Sequence, residues 1–281
     1  MNTLRRITQI CGFVISHAYL RVFSTKQIYQ GPLKAICVPF FTCHACPAAI
    51  FSCPIGTIQH YMVLRQFPWV LFGNLFLILI TVGRMVCGWL CPVGLVQDLM
   101  YKIKVAKVKL PHWLYYLKYP SIIFLVIFIP YFHSLEWFCK ICPPGTLEAA
   151  IPWVLWNPIN PEFQQREIDV SALGLFFVTK IIIFLVFVWL TTISKRAFCR
   201  ILCPLGVIFS VFNRFSIIRM KVDNLHPCNP KCTLCLKNCP MDIKISDNPN
   251  SGQCIRCLKC TICKKVKIGI GDLNSPVLEK A

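Results

Sequence analysis

Three stretches of the chain are apolar almost without interruption: 67–86 (FPWVLFGNLFLILITVGRMV), 119–135 (YPSIIFLVIFIPYFHSL) and 173–192 (LGLFFVTKIIIFLVFVWLTT). A bilayer core ~30 Å thick takes ~20 helical residues, so each predicts a membrane helix, the second of them short. A weaker apolar run, 7–24, follows MNTLRR. It lacks a small-residue cleavage site and is expected to be a signal anchor or an interfacial helix. After Ser216 the pattern turns polar and cysteine-rich, which predicts a separate soluble unit. The expected organisation is a membrane domain over 1–216, a small α+β domain over 217–268 and a tail over 269–281.

Basic residues orient the spans. The loop after the first span carries Lys102, Lys104, Lys107, Lys109 and Lys118, and the segment after the third carries Lys195, Arg196, Arg200, Arg214, Arg219 and Lys221. The loop 136–172 has Lys140 and Arg166 against Glu136, Glu148, Glu162, Glu167 and Asp169. By the positive-inside rule, 101–118 and the C-terminal domain are expected in the cytoplasm, with 136–172 and 31–65 outside.

Composition agrees: 56% hydrophobic and 15% charged residues, with a mean hydropathy of +0.60, are too apolar for an ordinary soluble domain. The formal charge of +19 does not point to nucleic acid, because the cations flank apolar spans and no aromatic-basic recognition motif accompanies them.

Nineteen cysteines change the picture. CPIGTI (53–58), CPVGLV (91–96), CPPGTL (142–147) and CPLGVI (203–208) share Cys-Pro-x-Gly-x-aliphatic, each with a cysteine shortly upstream: Cys46, Cys87, Cys139 and Cys199. On the expected orientation the copies alternate outside and inside, which predicts an internally duplicated membrane domain. Cys87-x3-Cys91-Pro and Cys199-x3-Cys203-Pro end spans on the cytoplasmic side. Cysteines four apart share a helix face, and the proline stops the helix so the backbone can wrap a ligand. Together they supply four thiolates for one [4Fe–4S] cluster at the inner face, with Arg84 and Arg200 near its negative charge. The outer set is Cys37, Cys43, Cys46, Cys53, Cys139 and Cys142. The repeat favours Cys46 and Cys53 with Cys139 and Cys142 for a further cluster; Cys43 with Cys46 is an equal alternative. The two left over are candidates for a disulfide, and CxxC pairs for redox thiols.

The C-terminal pattern is the most specific. Cys232-x2-Cys235-x3-Cys239-Pro and Cys254-x2-Cys257-x2-Cys260 match bacterial ferredoxin spacing, in which the displaced fourth cysteine ligates the other cluster. One [4Fe–4S] cluster therefore takes Cys254, Cys257, Cys260 and Cys239, the other Cys228, Cys232, Cys235 and Cys263. The spacings around Cys228 and Cys263 are irregular, so the second cluster is expected to be atypical. Zinc sites, usually two separated CxxC pairs, fit these runs less well. Lys180, inside its span, suggests a functional charge. His44, His60 and His133 have no ligand spacing, and lone Cys11 is expected to pack.

CGWLCPVG and CRILCPLG ahead of a two-cluster ferredoxin tail resemble the NapH/NosR-type membrane polyferredoxins, over roughly 67–265. The CHACPAAIFSCPIG and CKICPPG segments are additions to that pattern. The resemblance implies a multi-pass electron carrier or redox-complex subunit of a bacterial or archaeal cytoplasmic membrane, with quinol dehydrogenase activity as a candidate. Other redox proteins, the quinone pool and the lipid bilayer are its implied partners. The expected function is one-electron transfer between the cytoplasmic domain and a quinone or an outer-face partner. The alternatives are a transmembrane thiol–disulfide reductant and an electron-donating assembly factor for an exported metalloenzyme. Clusters at opposite faces would leave a long gap across the ~30 Å hydrocarbon layer, to be closed by clusters drawn inward or by a quinone.

Overall fold

The computed structural model describes residues 2–25, 27–156, 174–222, 233–245, 248–263 and 266–270, and these are mostly helical. Among the described residues two helices are long and apolar enough to cross a membrane, Trp113–His133 and Leu175–Ile193. Leu175, Ile182, Leu185 and Trp189 of the latter are exposed, a surface suited to hydrocarbon rather than water.

The first expected span is shorter than its apolar run. Its helix covers Trp69–Val82, 14 residues, or about 21 Å at 1.5 Å per residue. It stops at Gly83, whose φ of 57° lies in the left-handed region that a side chain disfavours. The chain turns there into a second short helix, Met85–Trp89.

The N-terminal helix, Asn2–Ser16, has its polar side turned inward. Arg5, Gln9 and Ser16 are buried while Leu4, Ile7, Phe13 and Val14 are exposed. Thr8 Oγ1 donates to the Trp89 carbonyl at 2.9 Å and Arg5 Nη2 reaches Asp98 at 2.8 Å. Polar groups inward and apolar groups outward is how a helix packs when its surroundings are lipid. Cys11 on this helix is exposed, not packed.

Each Cys-Pro-x-Gly unit opens a short helix: Pro54–Val63, Pro92–Met100, the stretch 143–156, and Pro204–Phe212. The cysteine is the N-cap in extended conformation and the proline is the first helical residue. Proline there loses no hydrogen bond, because the first turn has no acceptor for its N–H, and its φ is already helical. The proline thus starts the next helix as much as it ends the one before.

At the C-terminal end two antiparallel strands, β1 (Ile218–Val222) and β2 (Val266–Ile270), pair with Met220 opposite Ile268. Met220, Ile245 and Val266 are buried against Cys235 and Cys254. This part is fastened to the membrane part. Asn213 Nδ2 donates to the Ser251 and Cys254 carbonyls at 2.8 and 3.0 Å. Arg256 donates to the Val82 and Asn213 carbonyls at 2.9 and 2.6 Å, and Trp89 Nε1 to the Arg256 carbonyl at 3.0 Å. Gly88 sits where a Cβ would lie 2.5 Å from the Ile255 carbonyl oxygen, so the two backbones meet with no room for a side chain.

Candidate functional site

The fourth residue of the Cys-Pro-x-Gly motif has a direct task. The Gly206 amide donates to Cys203 Sγ at 3.2 Å, and Cys53, Cys91 and Cys142 are N-caps in the same extended conformation, without a side-chain cap hydrogen bond. Each N-cap cysteine therefore sits at the positive end of a helix, which favours a thiolate. The absent side chain makes room for a cation: a Cβ on Gly206 would lie 2.8 Å from Arg84 Nη2, and one on Gly94 3.0 Å from Arg196 Nη2.

Cys87, Cys91, Cys199 and Cys203 line one cavity with Phe41, Phe198 and Arg84. The two halves of this site brace each other reciprocally. Arg84, three residues before Cys87, donates to the Cys199 carbonyl at 3.3 Å; Arg196, three before Cys199, donates to the Cys87 carbonyl at 2.9 Å. Both guanidiniums are buried. Arg196 also grips Asp98 with two bonds of 2.9 Å. Burial alone would raise the Asp98 carboxyl, but Arg196 and Arg5 overcome it and hold it at about 2. Arg200, expected beside this site, instead bonds Asp242 at 2.7 Å.

Cys43, Cys53, Cys139 and Cys142 line a second cavity with Phe41, Thr42 and His44. The grouping departs from both expected sets, because Cys46 lies outside this cavity and lines a neighbouring one with Phe13, His17 and Glu148. Residues 41–42 cross between the cavities and leave Cys43 at the wall of the second, while the turn at 45–48 carries Cys46 elsewhere. Cys37 Sγ contacts Thr57 Oγ1 at 3.1 Å, and every cysteine whose side chain is described is a free thiol, so no leftover pair is joined.

Two glutamines reveal how closely the sites correspond. Gln97, six residues after Cys91, donates to Cys199 Sγ at 3.3 Å and accepts the Phe198 N–H at 3.1 Å. Gln59, six residues after Cys53, donates to Cys139 Sγ at 3.1 Å and accepts the Phe138 N–H at 3.0 Å. The same amide in the same place clamps a Phe-Cys pair twice. The signal for both in the sequence is Cys-Pro-x-Gly-x-x-Gln in 53–59 and 91–97, with Arg-x-x-Cys at 84–87 and 196–199.

Cys239, Cys254, Cys257 and Cys260 line a third cavity with Arg256 and Lys259. Burial pushes the Cys254 and Cys260 thiols up to about 12, so a bound cation must displace their protons. Of the second expected soluble set, Cys235 is buried beside Met220 and Ile245. Cys228 and Cys232 lie outside the described residues, as does the side chain of Cys263.

The three cavities stand in file. Phe41 is a wall of both membrane cavities, and Thr42 beside it lines the second. Cys87 packs among Cys239, Ile255 and Cys257 of the third. Neighbouring cavities thus share or pack through a single residue, Phe41 in one case and Cys87 in the other.

The cavities fit iron–sulfur cubanes better than single metal ions. Among the described residues no three His, Cys, Asp or Glu side chains converge closely enough for a bare ion. Zinc–sulfur bonds of ~2.3 Å would draw the sulfurs nearly into contact, whereas a cubane holds four thiolates apart around itself. Each cavity also has one buried donor without a partner: Arg84 Nε, Thr42 Oγ1 and Arg256 Nε. A buried unmet donor is costly, and the sulfur atoms of a cluster would meet it.

Other residues fall elsewhere. Lys180 is half-buried and lines none of the three cavities. Lys118, expected in the loop after the first span, is wholly buried with no hydrogen-bond partner for its ammonium, over the Tyr119 ring and close enough to Cys199 and Cys203 for charge interaction. His44 and His60 approach Glu136 at 3.8 and 3.4 Å.

Membrane-length helices around repeated four-cysteine cavities define a membrane iron–sulfur protein. A family model described as a 4Fe-4S binding domain matches residues 64–111, 119–155 and 176–223. The middle match contains Cys139 and Cys142, so the CKICPPG segment falls within the matched pattern instead of being an addition to it. An uncharacterized protein of Methanocaldococcus jannaschii is 31% identical over 226 residues, covering 76% of this chain and 83% of its own. The ferredoxin-type protein NapH of Haemophilus influenzae is 25% identical, covering 91% of this chain and 84% of its own. The regulatory protein NosR of Stutzerimonas stutzeri is 26% identical over 73% of this chain but only 28% of its own. No solved structure matches. The chain belongs to the NapH/NosR-type family of 4Fe–4S membrane polyferredoxins.

Proposed function

We propose that this protein carries electrons through a file of [4Fe–4S] clusters, between a cytoplasmic ferredoxin-like part and a quinone or an outer-face redox partner. The observation that carries the reading is the row of three cavities, each with four cysteines and one unmet donor, two of them sharing Phe41 and the third reached through Cys87. The ligand sets are Cys239, Cys254, Cys257 and Cys260; Cys87, Cys91, Cys199 and Cys203; and Cys43, Cys53, Cys139 and Cys142. A fourth set, Cys228, Cys232, Cys235 and Cys263, rests on spacing. Arg84, Arg196 and Lys118 offset the charge of about −2 that a thiolate-held cubane brings. The C-terminal part faces the cytoplasm on the Lys/Arg bias.

An apolar cavity of about 300 Å³ between Phe13, Val96, Leu147, Phe184 and Phe187 supports the quinone arm. Gln97 and Glu148 border it; one amide reaches Cys199, and the other carboxylate accepts the Cys43 N–H at 2.6 Å. A thiol–disulfide enzyme working through Cys43 and Cys46 is disfavoured. Its dithiol would have to be adjacent and acidic, but Cys46 lies outside the cavity that Cys43 lines, and burial, aided by Glu148, pushes the Cys43 thiol up to about 12. Iron analysis with EPR redox titration of the purified protein tests the reading. About sixteen irons per chain, with Cys43, Cys53, Cys139 and Cys142 protected from alkylation, is expected. About eight to twelve, with a titratable outer dithiol, would overturn it.

A further inference from the structure

A cleft of about 580 Å³ opens where the ferredoxin-like part meets the membrane part. Arg5, Arg6, Lys102, Lys195, Lys237 and Lys259 surround it, against one carboxylate, Asp98. That carboxylate is already taken by Arg196 and Arg5. Arg5 is only 3% exposed, yet its Nε and Nη1 have no partner. The cleft therefore contains a deep guanidinium with donors to spare and a rim of five cations, of which Lys195 pairs with Asp242 at 3.2 Å. Cys257 is part of its wall, beside Leu258 and Ile262, the latter 63% exposed.

We infer that this cleft is the docking site of an acidic one-electron carrier protein, which exchanges electrons with the cluster of Cys239, Cys254, Cys257 and Cys260. The inference rests on the cluster reading above. A small apolar patch ringed by charge has the anatomy of a protein interface, and a free phosphate would have no use for Ile262. Opposite charge speeds encounter and orients the carrier. The step moves one electron: the reduced carrier loses it, the [4Fe–4S]2+ cluster gains it and becomes [4Fe–4S]1+, and no bond or proton is exchanged.

The test uses the full-length cluster-loaded protein in zwitterionic lipid nanodiscs, with stopped-flow bleaching of the iron–sulfur absorbance. The donors are a reduced, small acidic 2[4Fe–4S] ferredoxin and the cationic dye methyl viologen, also reduced. The ferredoxin rate is expected to fall steeply with added salt, and Lys102→Glu with Lys237→Glu to lower it about tenfold or more. The dye should reduce the variant no more slowly than the unchanged protein. A ferredoxin rate indifferent to salt or to the two substitutions overturns the docking site. So does a variant that keeps its ferredoxin rate and loses only its response to anionic lipid, which would make the cleft a headgroup site. Dye reduction without ferredoxin reduction refutes the docking alone; a protein whose clusters neither donor reduces and EPR does not detect refutes the cluster reading along with it.

Discussion

Gln97→Leu removes one hydrogen bond from one proposed cluster and leaves its four ligands in place. The amide is buried, with Nε2 at 3.3 Å from Cys199 Sγ and Oε1 accepting the Phe198 N–H at 3.1 Å. An electron added to a cubane adds negative charge at its sulfurs, so an N–H aimed at a ligand sulfur binds the reduced state more strongly. Hydrogen bonds to charged groups are worth ~1.5–3 kcal/mol. If about 1 kcal/mol of that is differential between redox states, a one-electron couple moves by ~40 mV, since tenfold is 59 mV or ~1.4 kcal/mol. The substitution should therefore lower one midpoint potential by ~40 mV in an EPR-monitored titration and leave the other centres alone. Gln59→Leu should do the same to a different centre, because its amide holds Cys139 in the matching way. Both variants also orphan a buried N–H, at ~1–3 kcal/mol of stability. A drop in thermal stability with all potentials fixed within about 10 mV would show that the amides are braces only, and would refute the argument.

Other outcomes follow from the same geometry. Cys43→Ser should cost about four irons per chain while Cys46→Ser costs none, read by iron analysis; the reverse pattern would return Cys46 to the cluster. Asp98, held at about 2 against an ordinary 3.8, is depressed in the folded state, so its contribution is whole above about pH 5 and drains away as pH falls through 4 towards 2. Acid unfolding of the unchanged protein should show roughly 2 kcal/mol of extra loss in that window relative to Asp98→Asn. Arg196→Met leaves Asp98 with a single partner and should destabilise by about 3–5 kcal/mol in detergent melts. Gly88→Ala places a Cβ against the Ile255 carbonyl; overpacking of ~1–3 kcal/mol should loosen the ferredoxin-like part and speed its proteolysis.

Some of this was legible because the signal is local. Apolar runs announce membrane helices, Cys-Pro-x-Gly announces a cysteine-capped helix start, and closely spaced cysteines announce a wrapped ligand, since each depends on residues within a turn or two. Even so, the apolar run 67–86 concealed the break at Gly83, where a left-handed φ ends the helix after Val82. Long-range packing decided the rest. Which of Cys43 and Cys46 enters the cavity depends on where residues 41–42 cross the core, and no spacing rule contains that. Lys180, in mid-span, looked like the buried charge; Lys118 is the one folded inward, because Ser121 and the helix beginning near it pack against Leu202. The cross-bonding of Arg84 and Arg196 and the twin glutamine clamps need both halves of the duplication assembled before either partner has anything to hold. Sequence determined that there are cysteine sets; only the tertiary structure put them side by side, because electron-carrying distance is set by which surfaces pack, not by which residues are neighbours along the chain.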